Sequence, residues 1–211
     1  MRYESYRYIF PPRPKNAIMP KELINYEGSG MLGQPKLNGS NATVYTNGEK
    51  VIVMNRHGAR LTGFQIPEQE ILALYRGTGG WTALNGEYLN KSKRDEGGQL
   101  FNHKLVIFDI LISDGEYLVG KTFEQRLEML DSMYGKEESE KEYLFGISES
   151  VYRVKSYDFG FSSVFDRLSK IDMVEGLVLK RLNSRLEASG SEQNNMKWQV
   201  KARKGTLNYK Y

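Results

Sequence analysis

The sequence contains no cysteine, and this absence excludes several classes of protein at once. Without thiols the chain has no disulfides, no thiolate zinc sites and no cysteine nucleophile. Histidine is also scarce, with His57 and His103 as its two copies, so a histidine metal site is not expected. We expect both histidines to be loop or strand-edge residues rather than catalysts. The lack of cysteine makes the cytoplasm the expected compartment, or the host cytoplasm for a viral protein.

Long apolar runs are missing as well. No stretch of about eighteen apolar residues occurs, so no membrane span is expected. Residues 1–5 lack the apolar segment of a signal peptide. The net charge is +4, from 30 basic and 26 acidic residues, which permits a polyanionic partner without requiring one. With 211 residues, of which 39% are hydrophobic, the chain is long enough for one large domain with a packed core.

One stretch organises the rest of the chain, and it runs Gln34-Pro35-Lys36-Leu37-Asn38-Gly39-Ser40-Asn41. Beyond it, two strand-like runs at residues 42–46 and 49–55 flank the dipeptide Asn47-Gly48. An Asn-Gly pair between such runs predicts a β-hairpin with a type I′ turn, because both central residues must adopt positive φ. The pattern predicts that Lys36 lies on a loop at the mouth of this hairpin, where strands would hold a nucleophile in place. Taken alone, such a lysine is more often a solvated turn residue.

The rest of the sequence predicts a sheet-rich chain with a few helices. Further strands are expected at residues 81–89, 104–112, 116–119, 151–157, 173–180 and 196–203, and helices at 68–76, 123–134 and 162–171. The middle helix has the clearest limits, since Thr122 and Gln125 form a capping box and Gly135 follows its end. Residues 1–30 are expected to pack over the surface, although their basic, proline-rich part also admits phosphate contacts. Polar loops are predicted at residues 91–99, 136–142 and 183–195.

The final predicted strand separates its side chains into two faces. Residues two apart on a strand point the same way, so one face carries Lys197, Gln199, Lys201 and Arg203. The alternate residues are mostly apolar and are expected to face the core. A row of three cations and an amide fits either a solvated basic edge or a ridge that binds phosphate groups. The pattern alone leaves both interpretations open.

Six short motifs follow one another along the chain: Lys36-Leu37-Asn38-Gly39, Arg56-His57-Gly58, Asn85-Gly86-Glu87, Phe108-Asp109, Glu175-Gly176-Leu177-Val178-Leu179-Lys180 and Lys201-Ala202-Arg203. In kind and order they resemble the motifs of the covalent nucleotidyltransferase superfamily, which comprises ATP-dependent DNA ligases, RNA ligases and mRNA capping enzymes. Lys197 offers a second register for the last motif. Asn38 departs from the more common Asp of the first motif. Asn41 stands where DNA ligases usually carry Arg, and it is similar to the Asn of nick-sealing and editing-type RNA ligases.

The resemblance implies a role for each of these residues. Lys36 would attack the α-phosphorus of ATP as a neutral amine, form lysyl-AMP and release pyrophosphate. Glu175 would bind Mg²⁺ or Mn²⁺. Asn41 and Arg203 would position the 3′-OH of the nucleic acid. The implied catalytic residues are Lys36, Lys180 and Lys201, and the implied nucleotide contacts are Gln34, Lys36, Arg56, Glu87, Phe108, Lys197 and Lys201.

The resemblance also implies a fold and an activity. The fold is an α/β (α+β) nucleotidyltransferase domain of the ATP-grasp-like ligase adenylation type, with antiparallel sheets flanking a nucleotide cleft and helices at the periphery. One domain would cover residues 1–211, without the oligonucleotide-binding barrel that follows it in DNA ligases and capping enzymes. The activity is an ATP-dependent polynucleotide ligase that joins 3′-OH and 5′-phosphate ends in a nicked duplex. A monomer is expected, and RNA ligase is favoured over DNA ligase by Asn41 and by the missing barrel.

Three alternatives stay open at this point. The chain could be the adenylation domain of a DNA ligase, or a capping guanylyltransferase that uses GTP. It could also be a nucleic-acid-binding module that has kept the fold without the chemistry. The presence of both Lys36 and Glu175 argues against the last of these.

Overall fold

The computed structural model describes residues 8–136, 141–188 and 195–205. These residues form a mixed α+β structure, as the sequence predicts. The strands are β1 (Asn16–Ile18), β2 (Met31–Leu37), β3 (Ser40–Thr46), β4 (Val51–Asn55), β5 (Thr82–Leu89), β6 (Lys104–Ser113), β7 (Glu116–Tyr117), β8 (Leu144–Gly146), β9 (Val151–Val154), β10 (Val174–Arg181) and β11 (Gln199–Arg203). The helices are α1 (Glu68–Leu72), α2 (Phe123–Tyr134), α3 (Phe161–Leu168) and a 3₁₀ helix (Pro20–Tyr26). None of these helices is long and apolar enough to cross a membrane.

The strands form two sheets. A four-stranded sheet has the order β1-β11-β10-β2, and a seven-stranded sheet has the order β4-β3-β5-β6-β9-β8 with β7 paired to β6. Neighbouring strands are antiparallel except in two pairs, β1 with β11 and β6 with β9. The expectation of antiparallel sheets is therefore confirmed for most of the structure. Strand β6 lies in the middle of the larger sheet, which agrees with its nearly continuous apolar sequence.

The described residues form two hydrophobic cores. In the first, Ile71 of α1 and Leu130 of α2 pack on the seven-stranded sheet. In the second, Leu23 of the 3₁₀ helix and Phe161 of α3 pack with residues of the four-stranded sheet such as Leu177. Residues of the seven-stranded sheet, such as Val106, belong to this second core as well, so it joins the two sheets, and the helices lie at the periphery, as expected.

The predicted limits of α2 are confirmed. Thr122 Oγ1 accepts a hydrogen bond of 3.2 Å from the Gln125 backbone N–H, and Gln125 Oε1 accepts one of 2.9 Å from the Thr122 N–H. Gly135 ends the helix with φ of +66°. Helix α1 is shorter than the predicted span 68–76, because it ends at Leu72. The capping signals of α2 thus define both of its limits closely, whereas the span predicted for α1 is too long at its end.

Helix α2 is attached to the central strand by a buried ion pair. Arg126 Nε lies 2.8 Å from Asp109 Oδ1, and Arg126 Nη2 lies 3.0 Å from Asp109 Oδ2. Both side chains are buried. The guanidinium also lies over the rings of Phe123 and Trp198. Asp109 therefore has a structural role, whereas the burial of Arg126 was not predicted.

The Asn47-Gly48 hairpin forms, but with a longer connection than predicted. Thr46 pairs with Val51, so four residues separate β3 from β4. Asn47 Oδ1 accepts hydrogen bonds from the backbone N–H groups of Glu49 and Lys50, at 3.1 and 2.9 Å. The prediction of a strand from residue 49 is therefore wrong, since the Asn47 side chain holds residues 49 and 50 in the turn.

The N-terminal segment does more than cover the surface. Ile9, Pro11, Pro12 and Leu23 are buried, and Asn16–Ile18 forms the edge strand of the smaller sheet. We call residues 8–18 the N-terminal arm. Residues 1–7 lie outside the described residues, as do parts of the predicted polar loops, namely 137–140 and 189–194.

Candidate active site

A cavity of about 790 Å³ lies between the two sheets. Both sheets contribute side chains to its walls, and so does the N-terminal arm. Six cationic side chains and two carboxylates line it, and they are Arg13, Lys15, Lys36, Arg56, Lys201, Arg203, Glu87 and Glu175. The cavity is therefore suited to a ligand that carries several negative charges.

Lys36 lies on a strand rather than on a loop. It is the next-to-last residue of β2 and pairs with Gly176 of β10. The loop prediction was wrong because β2 is stabilised by a strand that lies far away in the sequence. The Lys36 side chain is 18% exposed, and its Nζ forms an ion pair with Glu175 Oε2. Regular strand pairing thus fixes the backbone of the predicted nucleophile.

A β-bulge directs Glu175 into the cavity. The pairing register of β10 with β2 shifts between Val174 and Gly176, so Glu175 is the extra residue. Its Oε2 also lies 3.6 Å from Arg203 Nε. Gly176 has φ of +150°, and a Cβ atom there would overlap the Ala202 carbonyl oxygen of β11. The glycine therefore lets β11 approach closely enough to bring Arg203 to Glu175.

Glu87 faces the loop that follows the nucleophile. The Gly39 backbone N–H donates a 3.2 Å hydrogen bond to Glu87 Oε1, and a side chain at Gly39 would collide with the backbone of Tyr88. Burial raises the pKa of Glu87 to about 7, and the opposing charge of Lys36 limits the rise. Glu87 is thus held between a loop N–H and a cation, in a position that opens on the cavity.

We expect the free energy of unfolding to fall as the pH rises from about 5 to about 8. The substitution Glu87→Gln should remove part of that fall. In the folded state the pKa of Glu87 is about 7, above its ordinary value of 4.5. Between these values the folded state holds a proton that the unfolded state has released, so raising the pH favours unfolding. Because the side chain keeps some contact with water, the effect should be about 1–2 kcal/mol.

Urea unfolding across this pH range measures the effect. The matched control is Glu116→Gln, which removes an exposed carboxylate on β7. The control should keep the wild-type pH dependence, whereas Glu87→Gln should flatten it. Equal pH dependence in all three proteins would contradict the shifted pKa of Glu87.

Phe108 lines the cavity, but Lys180 lies behind it. Lys180 is buried, and its Nζ lies 4.6 Å from the centre of the Phe108 ring and 4.8 Å from that of Phe123. Burial lowers the pKa of Lys180 to about 8, against the attraction of Asp109. The predicted catalytic role of Lys180 has no direct support from this position, where the lysine supports the aromatic wall instead.

Gln34 is likewise set back from the cavity. It is buried, and its Nε2 donates a 3.0 Å hydrogen bond to Ser156 Oγ. Its Oε1 has no hydrogen-bond partner among the described residues. A predicted contact to the adenine amino group therefore requires that a nucleotide reach deeper than the cavity walls.

The basic face of the last strand does point into the cavity. Gln199, Lys201 and Arg203 line it, whereas Lys197 is exposed in the turn before β11. This position favours the register with Lys201 and Arg203, and the nucleotide contact of Lys197 stays a prediction. Burial lowers the pKa of Lys201, and the charges of Arg203, Lys36 and Arg13 lower it further. Of the two interpretations of this face, the phosphate-binding ridge fits the structure.

Asn41 is fixed by Asn85, a motif residue to which the sequence analysis gave no role of its own. It is the second residue of β3, and its Oδ1 accepts a 3.2 Å hydrogen bond from Asn85 Nδ2. Its own Nδ2 donates to the Gly86 carbonyl at 3.3 Å. Asn85 is fully buried on β5. The amide of Asn41 is therefore oriented by the adjacent strand, and Asn41 is not a turn residue that bonds its own backbone.

The loop after β4 brings Arg56 to the cavity, as predicted. Arg56 Nε donates a 2.9 Å hydrogen bond to His57 Nε2, and both residues line the cavity. His103 lies away from it, where its Nδ1 is 2.8 Å from the hydroxyl of Tyr88. His103 thus has the structural role expected of it.

The sequence profile of the RNA ligase family matches residues 32–199. This span contains most of both sheets and every predicted site residue except Lys201 and Arg203. The chain belongs to the RNA ligase family. No curated protein sequence matches it significantly.

Three solved structures that are similar to this chain come from ligases. The ligase domain of LigD from M. tuberculosis matches with a TM-score of 0.65 and 17% identity, over 92% of this chain and 60% of that one. A mycobacterial DNA ligase D complexed with ATP and MES matches with a TM-score of 0.65 and 15% identity, over 92% and 60%. A Lig E DNA ligase matches with a TM-score of 0.57 and 12% identity, over 93% and 70%. These identities establish the fold alone, and the chain spans 60% of the length of the LigD domain.

The carboxylates of this RNA ligase family member suit a magnesium ion that is shared with a phosphate ligand. The described residues contain no cluster of three or more metal-binding side chains. Glu87 and Glu175 are the two carboxylates among the cavity residues. Mg²⁺ commonly binds one or two carboxylates and completes its shell with phosphate oxygens and water. The donor set therefore fits Mg²⁺ bound together with a nucleotide.

Two charged residues of the cavity lie before the family match. Arg13 and Lys15 belong to the N-terminal arm, which precedes residue 32. The sequence offered one weak signal for them, a basic segment among prolines, and packing was favoured there. Their place in the cavity depends on the pairing of β1 with β11, which the sequence pattern did not reveal.

Proposed function

We propose that the chain is an ATP-dependent polynucleotide ligase that acts through a lysyl-AMP intermediate at Lys36. The observation that carries the proposal is the ion pair between Lys36 and Glu175 in a cationic cavity between two sheets. Membership of the RNA ligase family and the fold of DNA ligases support the same chemistry. The mycobacterial DNA ligase D structure contains ATP, which supports ATP as the nucleotide.

The first step transfers AMP to the enzyme. The neutral amine of Lys36 attacks the α-phosphorus of ATP, and a P–N bond forms as the bond to the bridging oxygen of the β-phosphate breaks. That oxygen keeps the electron pair and leaves with pyrophosphate, while the amine releases a proton to solvent. Arg56, Lys201 and Arg203 line the cavity and neutralise the phosphate charge. Glu175 holds the lysine side chain in the cavity before ATP binds.

The two later steps join the ends of the nucleic acid. A 5′-phosphate oxygen attacks the AMP phosphorus, the P–N bond breaks, and Lys36 recovers its proton. The 3′-OH then attacks the activated 5′-phosphorus and releases its proton to solvent, AMP leaves with the electron pair, and the phosphodiester bond is complete. Mg²⁺ bound with Glu175 and phosphate oxygens would supply charge neutralisation. We propose that the substrate is a nicked duplex and that the protein acts as a monomer.

Labelled nucleotides and matched nicks test this function. Incubation with α-labelled ATP should leave one AMP on the protein, and labelled GTP should leave none. Addition of a nicked duplex should release AMP and seal the nick. Labelling by GTP alone would support a capping guanylyltransferase, and the absence of any adduct would support a binding module. Nicks with RNA or DNA on each side of the break measure the substrate preference, and we propose that nicks containing RNA are sealed faster than nicks made only of DNA.

We expect Asn41→Ala to form enzyme-AMP normally and to seal a pre-adenylylated nick about 30- to 1000-fold more slowly. Asn41 lines the cavity close to Lys36, with its amide oriented by Asn85. Loss of one oriented hydrogen bond to a reacting group costs roughly 2–4 kcal/mol. Single-turnover sealing of a pre-adenylylated nick measures the effect. An unchanged sealing rate, or an equal fall in both steps, would contradict a role of Asn41 in positioning the 3′-OH.

A further inference from the structure

The N-terminal arm crosses the cavity from one sheet to the other. At its start the Tyr8 hydroxyl donates a 2.9 Å hydrogen bond to the Asn55 carbonyl, beside the loop that carries Arg56. At its end Asn16–Ile18 pairs with β11 of the smaller sheet. Between these attachments, residues 11–15 line the cavity. The arm is therefore a wall of the site rather than a covering of the surface.

The middle of the arm is stiff. Residues 11, 12 and 14 are prolines, each of which fixes its own φ, and Pro11 and Pro12 are buried. The Pro14 carbonyl accepts a 3.0 Å hydrogen bond from Lys201 Nζ. Arg13 is thus carried by a backbone that needs little further ordering when a ligand binds, which lowers the entropic cost of a contact through its side chain.

The arm extends the cationic row of the last strand. Arg13 is near enough to Lys201 for its charge to lower the pKa of that lysine. Burial and the charges of Arg203 and Lys36 lower the same pKa by more. Lys15 also borders the cavity, where it is exposed. With these two residues the cavity has six cationic side chains against two carboxylates. An excess of this size suits a ligand with more negative charge than one AMP phosphate provides.

We propose that the N-terminal arm is part of the active site and that Arg13 and Lys15 bind the two phosphates of ATP that leave as pyrophosphate. The inference rests on the proposed ligase function. In-line attack by Lys36 sends the leaving oxygen away from the lysine, and cations placed around the leaving group stabilise the charge that develops there. The arm precedes the family match at residues 32–199, so this contact is additional to the six sequence motifs.

The test uses the full chain with Arg13→Gln and Lys15→Gln, each made singly. The matched control is Lys21→Gln, which removes an exposed cation of the 3₁₀ helix that does not line the cavity. Three rates are measured: formation of enzyme-AMP against ATP concentration, reversal of enzyme-AMP by added pyrophosphate, and sealing of a pre-adenylylated nick. The last reaction involves no pyrophosphate.

For Arg13→Gln, the ATP and pyrophosphate concentrations that give half-maximal rates should rise roughly tenfold or more. Lys15→Gln should show a smaller rise of the same kind. Sealing of the pre-adenylylated nick should stay at the wild-type rate in both variants, and the control should match the wild type in all three reactions.

Several results would overturn the inference. Unchanged half-maximal concentrations of ATP and pyrophosphate would show that the two residues do not contact these phosphates. A fall in the rate of nick sealing equal to the fall in the other two rates would indicate that the cations bind the nucleic-acid backbone. A lowered melting temperature with a uniform loss of all three rates would indicate a structural role alone. If wild-type protein forms no AMP adduct, the ligase proposal itself fails. If the wild type forms the adduct and the variants behave like it, only the role of the arm is refuted.

Discussion

Replacing Lys36 by alanine is expected to abolish the transfer of label from α-labelled ATP to the protein. The Nζ atom that would form the P–N bond is removed, so the rate should fall by at least about a thousandfold. Lys36→Arg is informative beside it, because arginine keeps the positive charge but does not deprotonate to a nucleophile. Both variants should lack the adduct if the lysine acts as a nucleophile and not merely as a cation. Gel detection of the label measures the effect.

Lys50→Ala is the matched control for Lys36→Ala. Lys50 is exposed in the turn between β3 and β4, away from the cavity residues. This variant should form the adduct at the wild-type rate, and peptide mass mapping of the wild-type adduct should locate AMP on Lys36. Normal labelling of Lys36→Ala would show that another residue is the nucleophile and would end the proposal.

Glu175→Ala is expected to slow enzyme-AMP formation by about 100- to 1000-fold, the usual effect of removing one electrostatic group from a catalytic site. The carboxylate pairs with Lys36 and lies near Arg203, and it is the proposed ligand of Mg²⁺. Its side chain is 27% exposed and belongs to no hydrophobic core, so the melting temperature should change little. Single-turnover labelling at several Mg²⁺ concentrations measures the rate.

The control for Glu175→Ala is Glu116→Ala, which removes an exposed carboxylate on β7. This control should adenylylate like the wild type. Glu175→Gln keeps the shape of the side chain without its charge, and it should be nearly as slow as the alanine variant. Wild-type rates for Glu175→Ala at high Mg²⁺ and ATP would show that Glu175 is not a metal ligand.

The parts of the structure that local sequence determines were predicted well. Helix α2 begins and ends where its capping box and Gly135 place it, because those hydrogen bonds join residues a few positions apart. Strand β6 was also predicted, since its apolar run suits only a buried position.

The parts that depend on distant partners were not predicted. Lys36 was expected on a loop, but its strand is paired with β10, and its ion pair partner Glu175 lies 139 positions away. Arg126 was not predicted to be buried, because nothing near it in the sequence reveals the Asp109 carboxylate that neutralises it. The role of Asn85 was missed for the same reason. Most of the predicted site residues do line the cavity, whereas Lys180 and Lys197 do not, because their positions depend on packing and on the start of β11.

Strand β1 also has a consequence for how the protein associates with itself. Its three residues, Asn16–Ile18, pair with β11 and occupy the outer edge of that strand. An uncovered edge presents free backbone N–H and C=O groups, which recruit strands from other molecules. Removing the arm would expose the edge of β11 at the same time as it removes Arg13 and Lys15. Oligomers formed by strand addition would then reduce activity by themselves. A truncation therefore mixes the loss of the arm's chemistry with the loss of its protection of the sheet edge. Single substitutions at Arg13 and Lys15 change only the chemistry.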